Sequence, residues 1–456
     1  MIMRRIGLVA VSLFWLVLAL GVASCGSDDT GTKTATGAVT FWQDVAPIYN
    51  SKCVRCHQSG GIAPFRLDTY ADAKSLAALE QARVNAGTMP PYFMVHDGSC
   101  GSFQDDITLS DSQKATINAW VDGGTPEGTP ATLTLPAQPT LPNAADVTTP
   151  TFMPVPQGGQ LAEFDEYRCF MMDWPRATDG FLTGYDVSPG NAAVVHHVLG
   201  FIVDPQRTGQ GGRTNAAIIQ DLQAQSPGRA GWPCFGSAGD GVNNTGLPIA
   251  WAPGQGVLTF PEGMGVPVRT TDKLVIQIHY NLADPATIGR TDSTTVHLQF
   301  ADTISRQLDF LLPDPFLESI GKKDPAGNPA PDTLPAGQAD ARYTWTRSAS
   351  DMGVDGVEIP SVDLVAVMPH MHGRGVQQSV RIGPTGNLAC AANLKNWSFH
   401  WQEFYFYKTP IAITPNTQIQ VTCDYDTSAD TMPVLPGWGT RNEMCLAVLM
   451  VARPAK

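Results

Sequence analysis

The sequence predicts a multidomain chain: one small all-α domain followed by two all-β, antiparallel, jelly-roll-like sandwich domains. Three observations carry this. Residues 38–128 contain helical runs with recognisable caps. Beyond residue 151, short β-rich runs such as 273–280 (KLVIQIHY) and 417–422 (TQIQVT) alternate with Gly/Pro turns, and βαβ units are missing. The chain has 456 residues, room for about three domains, so two sandwiches of roughly 150 residues fit the second part better than one. A hydrophobic share of 43% rules out wholesale disorder. With 42 acidic against 29 basic residues, net −13, nothing is basic enough to track a phosphate backbone, so nucleic acid is not an expected partner.

At the start, Arg4 and Arg5 precede an apolar run over residues 6–22 that ends in Val22-Ala23-Ser24-Cys25. A charged start, an apolar stretch and a small-residue cleavage site read as a secretory signal over residues 1–24. A cysteine directly after such a site resembles the bacterial lipoprotein lipobox, so Cys25 is expected to carry the lipid. The competing reading is an uncleaved anchor, for which the run is at the short limit of a span. Either way the rest lies outside the cytoplasm. The expected location is the bacterial cell envelope, with a lipid anchor in the periplasm or outer membrane. Residues 25–37 lack apolar periodicity and read as a flexible tether.

The all-α domain, 38–128, is organised around Cys53-Val-Arg-Cys56-His57, the C-x-x-C-H attachment sequence of haem c. Two thiols at this spacing can form thioethers to one haem, and the adjacent imidazole becomes the proximal iron ligand. A zinc site would need a second ligand pair, and a thioredoxin-like motif a βαβ pattern; neither follows. Met89, in Gly87-Thr88-Met89-Pro90-Pro91, is the expected sixth ligand, because two prolines hold the loop and a thioether raises the haem potential. His96 is the alternative. Residues 70–86 read as helix. Ser110-Asp-Ser-Gln113 is a capping box opening a helix over 111–122, ended by Gly123-Gly124. Residues 41–49 read as a short helix leading into the motif. The domain as a whole resembles the small helical cytochrome c fold. Residues 129–150, rich in proline and threonine, read as a semi-extended linker.

In the β region, 151–305 and 306–456, five of the nine histidines fall in three tight contexts: His196-His197, His279, and His370-Met-His372. Residues two apart on a strand share a face, so His370 and His372 can converge on one ion. His196 and His197 point apart in a regular strand and can both ligate only at a bend or strand end. Imidazole clusters of this kind suit Cu, Zn, Fe or Ni. His96, His297 and His400 lie outside these contexts and read as surface or structural residues.

Residues 160–452 resemble the type II copper-, ascorbate-dependent monooxygenases, which include peptidylglycine α-hydroxylating monooxygenase and dopamine β-monooxygenase. The resemblance is carried by Tyr167-Arg-Cys169-Phe, Val194-Val-His196-His197-Val198, Trp251-Ala-Pro-Gly, Phe260-Pro-Glu-Gly263, Gln277-Ile-His279-Tyr280, His370-Met-His372 and Glu443-Met444-Cys445, in that order. It implies two sandwiches facing across an open cleft, each holding one copper ion. His196, His197 and His279 would hold the electron-transfer copper. His370, His372 and Met444 would hold the oxygen-binding, catalytic copper. It also implies disulfides Cys169–Cys234 and Cys423–Cys445. Cys100 and Cys390 are left over, and the expectation is that they bridge the helical domain to the second sandwich.

The implied activity is a copper-dependent monooxygenase that hydroxylates a C–H bond of a small-molecule substrate with O2. Ascorbate or a periplasmic donor would supply electrons, passed on by the fused haem c. The competing class is a non-enzymatic haem/copper electron-transfer or copper-handling lipoprotein. One departure from the peptide-amidating members matters. Their substrate-gripping arginine is replaced by Met368, and their Asn and Tyr beyond the methionine by Leu446 and Val448. The pocket is expected to be apolar and to reject a peptide carboxylate.

Overall fold

Helix formation in the first domain follows its caps. The computed structural model describes residues 37–158, 161, 163–352 and 361–455. The expected signal, the Cys25 lipidation site and the tether up to residue 36 lie outside the described residues. A π-helical turn, Phe41–Val45, runs into α1 (Ala46–Lys52), which has Pro47 in its first turn. Helix α2 (Tyr70–Asn85) is capped by the Thr69 hydroxyl, which accepts from Asp72 N. Helix α3 (Asp111–Asp122) starts at the capping box of Ser110 and Gln113 and ends at Gly123. Phe41, Tyr49, Ile117 and Trp120 are buried together and form the centre of this small core.

Glu80 on α2 is buried in the same core and accepts a hydrogen bond from the Tyr49 hydroxyl. Burial pushes its carboxyl up to about 7, against 4.5 for the free group. The unfolded chain releases this proton near 4.5 and the folded chain near 7. Unfolding therefore releases a proton between those values, and stability is lost as pH rises through them. We expect Glu80→Gln to stabilise the protein at pH 8 by about 2–3 kcal/mol and to flatten the loss between pH 5 and 8. Thermal scans of the full chain at both pH values check this; an unchanged slope overturns it.

The helical domain does not swing on a linker. Residues 92–104 lie antiparallel along strands of the second sandwich. Val95 N donates to Asn393 O, Gly101 N to Ala391 O, and Gln104 N to Phe406 O. Phe103 packs on Tyr407 at 4.7 Å, Tyr92 on Tyr405 at 5.2 Å, and Cys100 forms a disulfide with Cys390. The proline-rich stretch read as a linker is itself held down. Asn50, Gln58 and Gln138 side-chain amides donate to Thr134 O, Pro136 O and Arg55 O. Proline removes backbone donors but keeps the carbonyls, and those are what side-chain amides can use.

The first sandwich contains β1 (Ala145–Thr148), β2 (Asp165–Asp173), β3 (Gly180–Ser188) and β4 (Val195–Val203). After α4 (Asn215–Ala224) come β5 (Trp232–Pro233), β6 (Gly246–Trp251), β7 (Leu258–Thr259), β8 (Met264–Val268), β9 (Lys273–Asn281) and β10 (Thr295–Ala301). The second contains β11 (Arg306–Leu311), β12 (Ala341–Ser348), β13 (Val362–His370) and β14 (Gly375–Gly383). It closes with β15 (Ala389–Leu394), β16 (Tyr405–Ile413), β17 (Gln418–Tyr425) and β18 (Leu446–Ala452). One sheet runs β5-β2-β9-β4-β6 and another β12-β17-β14-β15. A nine-stranded sheet, β1-β10-β3-β8-β11-β18-β13-β16 with β7 on β3, backs both of them.

The two sandwiches thus share a sheet across the 305/306 boundary. The joint is the parallel pair β8·β11, while β11 pairs antiparallel with β18 on its other edge. One apolar core spans the first sandwich and crosses the boundary to residues such as Met368, Leu446 and Met450, and a second fills the second sandwich. Strand β18 (LAVLMVA) is buried along its whole length, as a strand covered on both faces must be. Three disulfides, Cys100–Cys390, Cys169–Cys234 and Cys423–Cys445, are the signature of an oxidising compartment outside the cytoplasm. Among the described residues no helix is long and apolar enough to cross a membrane.

Candidate metal centres

The first histidine cluster is built by a bulge. In the β4·β9 ladder Val195 faces Tyr280 and His197 faces His279, so His196 is the inserted residue. A bulge breaks the strict alternation of side chains, and this is how two adjacent histidines reach one point. The Nδ1 atoms of His196 and of His279 each lie 3.3 Å from His197 Nδ1. Ligand atoms of all three residues lie within 4.8 Å of one another. Burial holds the His196 and His197 imidazoles well below the usual range, so both stay neutral.

Asp165 fixes the third ring. Its Oδ1 accepts from His279 Nε2 at 3.0 Å and from Thr440 Oγ1 at 2.9 Å, while Oδ2 accepts from Thr440 N at 2.9 Å. Burial alone would raise this carboxyl, but the hydrogen bonds from His279 and Thr440 hold it below the ordinary value. An ionised carboxylate only accepts, so His279 carries its proton on Nε2 and presents a lone pair at Nδ1. His196 Nε2 is buried without a hydrogen-bond partner among the described residues.

The second cluster lies at the end of the β13·β18 pair. His370 faces Leu446 in register, and Met444 precedes that strand by two residues and is buried. The His370 and His372 rings are 5.3 Å apart and nearly perpendicular. His370 Nδ1 lies 2.7 Å from Gln402 Oε1, and Gln402 Nε2 donates to Phe399 O, which fixes the amide's orientation. His372 Nδ1 lies 3.0 Å from Asn442 O. Both partners are acceptors, so both rings carry their proton on Nδ1 and keep a lone pair on Nε2. Burial pushes His372 down to about 3 and His370 down as well. The Glu443 carboxylate accepts from the backbone N–H groups of His372 and Arg374, both at 2.8 Å, and so shapes the turn after the HxH. Met368, Phe404, Met444, Leu446 and Val448 are all buried in one apolar cluster beside it.

The two clusters are not separated by an open cleft at every point. The Phe399 ring is 4.3 Å from His196 and 5.8 Å from His372. His400, read from sequence as peripheral, is exposed, yet its ring is 6.2 Å from His196. His297 is satisfied structurally, by Asp146 and Ser188, and His96 is exposed. Two aromatic contacts lock the sandwiches together. Trp401 lies so close to Gly254 (φ +98°) that a Cβ there would be 2.3 Å from its ring. Trp438 meets Gly236 (φ +55°) in the same way.

In the helical domain, Cys53 and Cys56 are free thiols. Burial pushes Cys53 up to about 12 and raises Cys56 as well, which is not the behaviour of an activated redox or nucleophilic cysteine. His57 Nδ1 lies 3.1 Å from Phe65 O, so its lone pair is on Nε2. Met89 is 39% exposed in the loop after α2, whereas Met94 is buried at 2% in the second sandwich. Sequence reading missed Asp165, Phe399 and Gln402, and held Glu443 only as part of the Glu443-Met444-Cys445 motif. Nothing in the sequence around Phe399 and Gln402 announces a role, while Asp165 stands beside a motif already singled out.

Two curated relatives are similar to part of this chain. The chain is 22% identical over 268 residues to tyramine beta-hydroxylase of Caenorhabditis briggsae, covering 57% of this chain and 40% of that one. It is 25% identical over 207 residues to DBH-like monooxygenase protein 1 of Gallus gallus, covering 44% and 32%. The chain thus spans less than half the length of either relative. Among solved structures, the major capsid protein P2 of bacteriophage PM2 overlaps 68% of this chain and 98% of its own at 9% identity; its TM-score of 0.24 carries no weight. Residues 343–455, which hold His370, His372 and Met444, match the family model of the copper type II ascorbate-dependent monooxygenase C-terminal domain.

Proposed function

We propose that the chain is a copper-dependent monooxygenase that hydroxylates a C–H bond of a small, largely uncharged or aromatic substrate. Electrons would enter through a covalently attached haem c. His196, His197 and His279 would hold the electron-transfer copper, and His370, His372 and Met444 the oxygen-binding one. Cys53 and Cys56 would carry the haem, with His57 and Met89 as axial ligands. A lipid at Cys25 would anchor the protein in the cell envelope.

The observation that carries this reading is the fixed protonation of the rings. His279, His370, His372 and His57 each commit their one N–H to an acceptor and leave a lone pair on the other nitrogen. This is the arrangement that metal-binding histidines need. The donor sets fit the groups: three imidazoles suit copper, and two imidazoles with a thioether favour its reduced form. Two free thiols beside a proximal-type histidine fit a haem.

Copper held there would supply one-electron redox and dioxygen chemistry, and a haem would supply electrons. The chain's own residues do the rest. Asp165 and Gln402 hold two of the rings at fixed angles. Met368, Leu446 and Val448 make an apolar wall that keeps water from the reacting carbon and binds an uncharged group. Turnover needs two electrons and two protons for each dioxygen, one oxygen atom entering the product and one leaving as water.

Metal analysis with a haem absorption spectrum tests the reading, with one haem and two coppers for each chain as the expected result. Oxygen uptake coupled to a hydroxylated product separates the enzyme from a copper-handling carrier. A glycine-extended peptide is expected to show no turnover. Its carboxylate would meet Met368, Leu446 and Val448, and burying it unpaired costs several kcal/mol. A hydroxylated peptide product would overturn that prediction.

A further inference from the structure

We propose that residues 92–104 of the helical domain are a positioning clamp for the loop 395–404 of the second sandwich, and through it for the His370 ring. That His370 is a metal ligand rests on the copper reading above; the clamp itself rests on contacts. Two sheets end side by side here: β15 is the last strand of the sheet β12-β17-β14-β15, and β16 the last of the nine-stranded sheet. Residues 92–104 cover both edges. On β15, Val95 N donates to Asn393 O at 2.8 Å, Gly101 N to Ala391 O at 3.1 Å, and Lys395 N to Phe93 O at 2.9 Å. On β16, Gln104 N donates to Phe406 O at 2.7 Å and Lys408 N to Ser102 O at 2.9 Å. Met94 and Phe103 are buried in the core of the second sandwich, not in that of the helices. The segment thus supplies edge pairing that the second sandwich lacks on its own.

The loop 395–404 joins these two edges and makes three contacts with the histidine clusters. Gln402 Oε1 accepts from His370 Nδ1 at 2.7 Å, and Trp397 Nε1 donates to His372 O at 2.9 Å. The Phe399 ring lies between His372 and His196. A hydrogen bond orients a ring only if its supplier is itself held. Gln402 spends its amide on Phe399 O, inside the same loop, so the loop must be fixed from outside. Trp401, seated on Gly254, fixes its middle. The clamp fixes both stems: Phe93 O holds Lys395, and the Tyr92 ring packs on Tyr405 at 5.2 Å. The Cys100–Cys390 disulfide closes the clamp covalently.

Two lesions open it without touching either cluster. One is Cys100→Ser with Cys390→Ser. The other is Gly101→Ala, because a Cβ at Gly101 would lie 2.4 Å from Ala391 O and 2.7 Å from the Tyr407 ring. The full chain is compared metal-free, with isotope-labelled histidines, by hydrogen exchange and by the nitrogen spectra of the imidazoles. In both variants amide exchange over 395–404 is expected to speed up by at least about tenfold. The His370 signal is expected to change from the Nδ1–H tautomer to a mixture of both. His279, held by Asp165 in the other sandwich, is expected to keep its Nε2–H signature and so reports that each variant is folded.

A general loss of stability would move both imidazoles together; the clamp predicts that His370 moves alone. In the copper-loaded chain, chelator competition is expected to show one of the two ions weakened by at least about tenfold and the other unchanged. An unchanged His370 tautomer in folded variants overturns the proposal, as does loop exchange within about twofold of wild type. Equal weakening of both ions overturns it too. A chain that binds no copper overturns the copper reading instead, and the metal-free spectra still decide the clamp.

Discussion

Replacing His372 with alanine is expected to reduce bound copper from two ions to one for each chain and to abolish hydroxylated product. His372 is 3% exposed, and its ring is held by Asn442 O with the lone pair on Nε2. Without it, the proposed site keeps only His370 and Met444. Removing an outer hydrogen-bond partner of a metal ligand typically costs about 10–100-fold, and loss of a ligand exceeds that, so at least roughly a thousandfold loss of product is expected. The Asn442 carbonyl loses its donor, at a stability cost of about 1–3 kcal/mol, which the fold should survive. The remaining copper should sit at His196, His197 and His279, and His279→Ala should produce the complementary protein. Metal analysis of both variants, with product detection, decides. Two coppers and full product formation in His372→Ala would sink the assignment.

Asp165→Ala is expected to weaken copper binding at the first cluster by about 10–100-fold and to lower overall stability. Alanine leaves the buried Nε2–H of His279 and the N–H of Thr440 without acceptors, each at a cost of about 1–3 kcal/mol. The damage should also reach the second cluster. Thr440 begins the short run through Asn442, which holds His372, and Glu443, which shapes the HxH turn, to Met444. Asp165→Asn keeps an acceptor for His279 and removes the charge, so it should fall between wild type and alanine. Chelator competition on the three proteins measures the affinity, and thermal scans the stability. Equal affinities across the series would show that Asp165 does not position His279.

How much was legible in advance differs from one element to the next. Helix α3 was visible because its capping box is local chemistry: Ser110 and Gln113 are three residues apart and satisfy each other's backbone neighbours. Strands β9 and β17 were visible as the β-rich runs 273–280 and 417–422. The need for a distortion at His196–His197 was visible too, because alternation along a strand is a local rule; the bulge supplies it. The β-sandwich character of the second part was legible, but the shared nine-stranded sheet was not, since pairing between β8 and β11 depends on edges that meet only after folding.

The sequence by itself supplied the residue types and their local spacings: the CxxCH motif and the paired and spaced histidines. Those follow from residue type and from spacings within one element. Only the tertiary structure decided who holds whom. Asp165 reaches His279 along a sheet and Thr440 across an interface, Gln402 reaches His370 from 32 positions away, and Phe399 touches both clusters. It also decided that the helical domain is fastened to the second sandwich rather than left on a tether. Hydrogen-bond partners and ring contacts between distant segments depend on distances that the folded core sets, and no local periodicity encodes them.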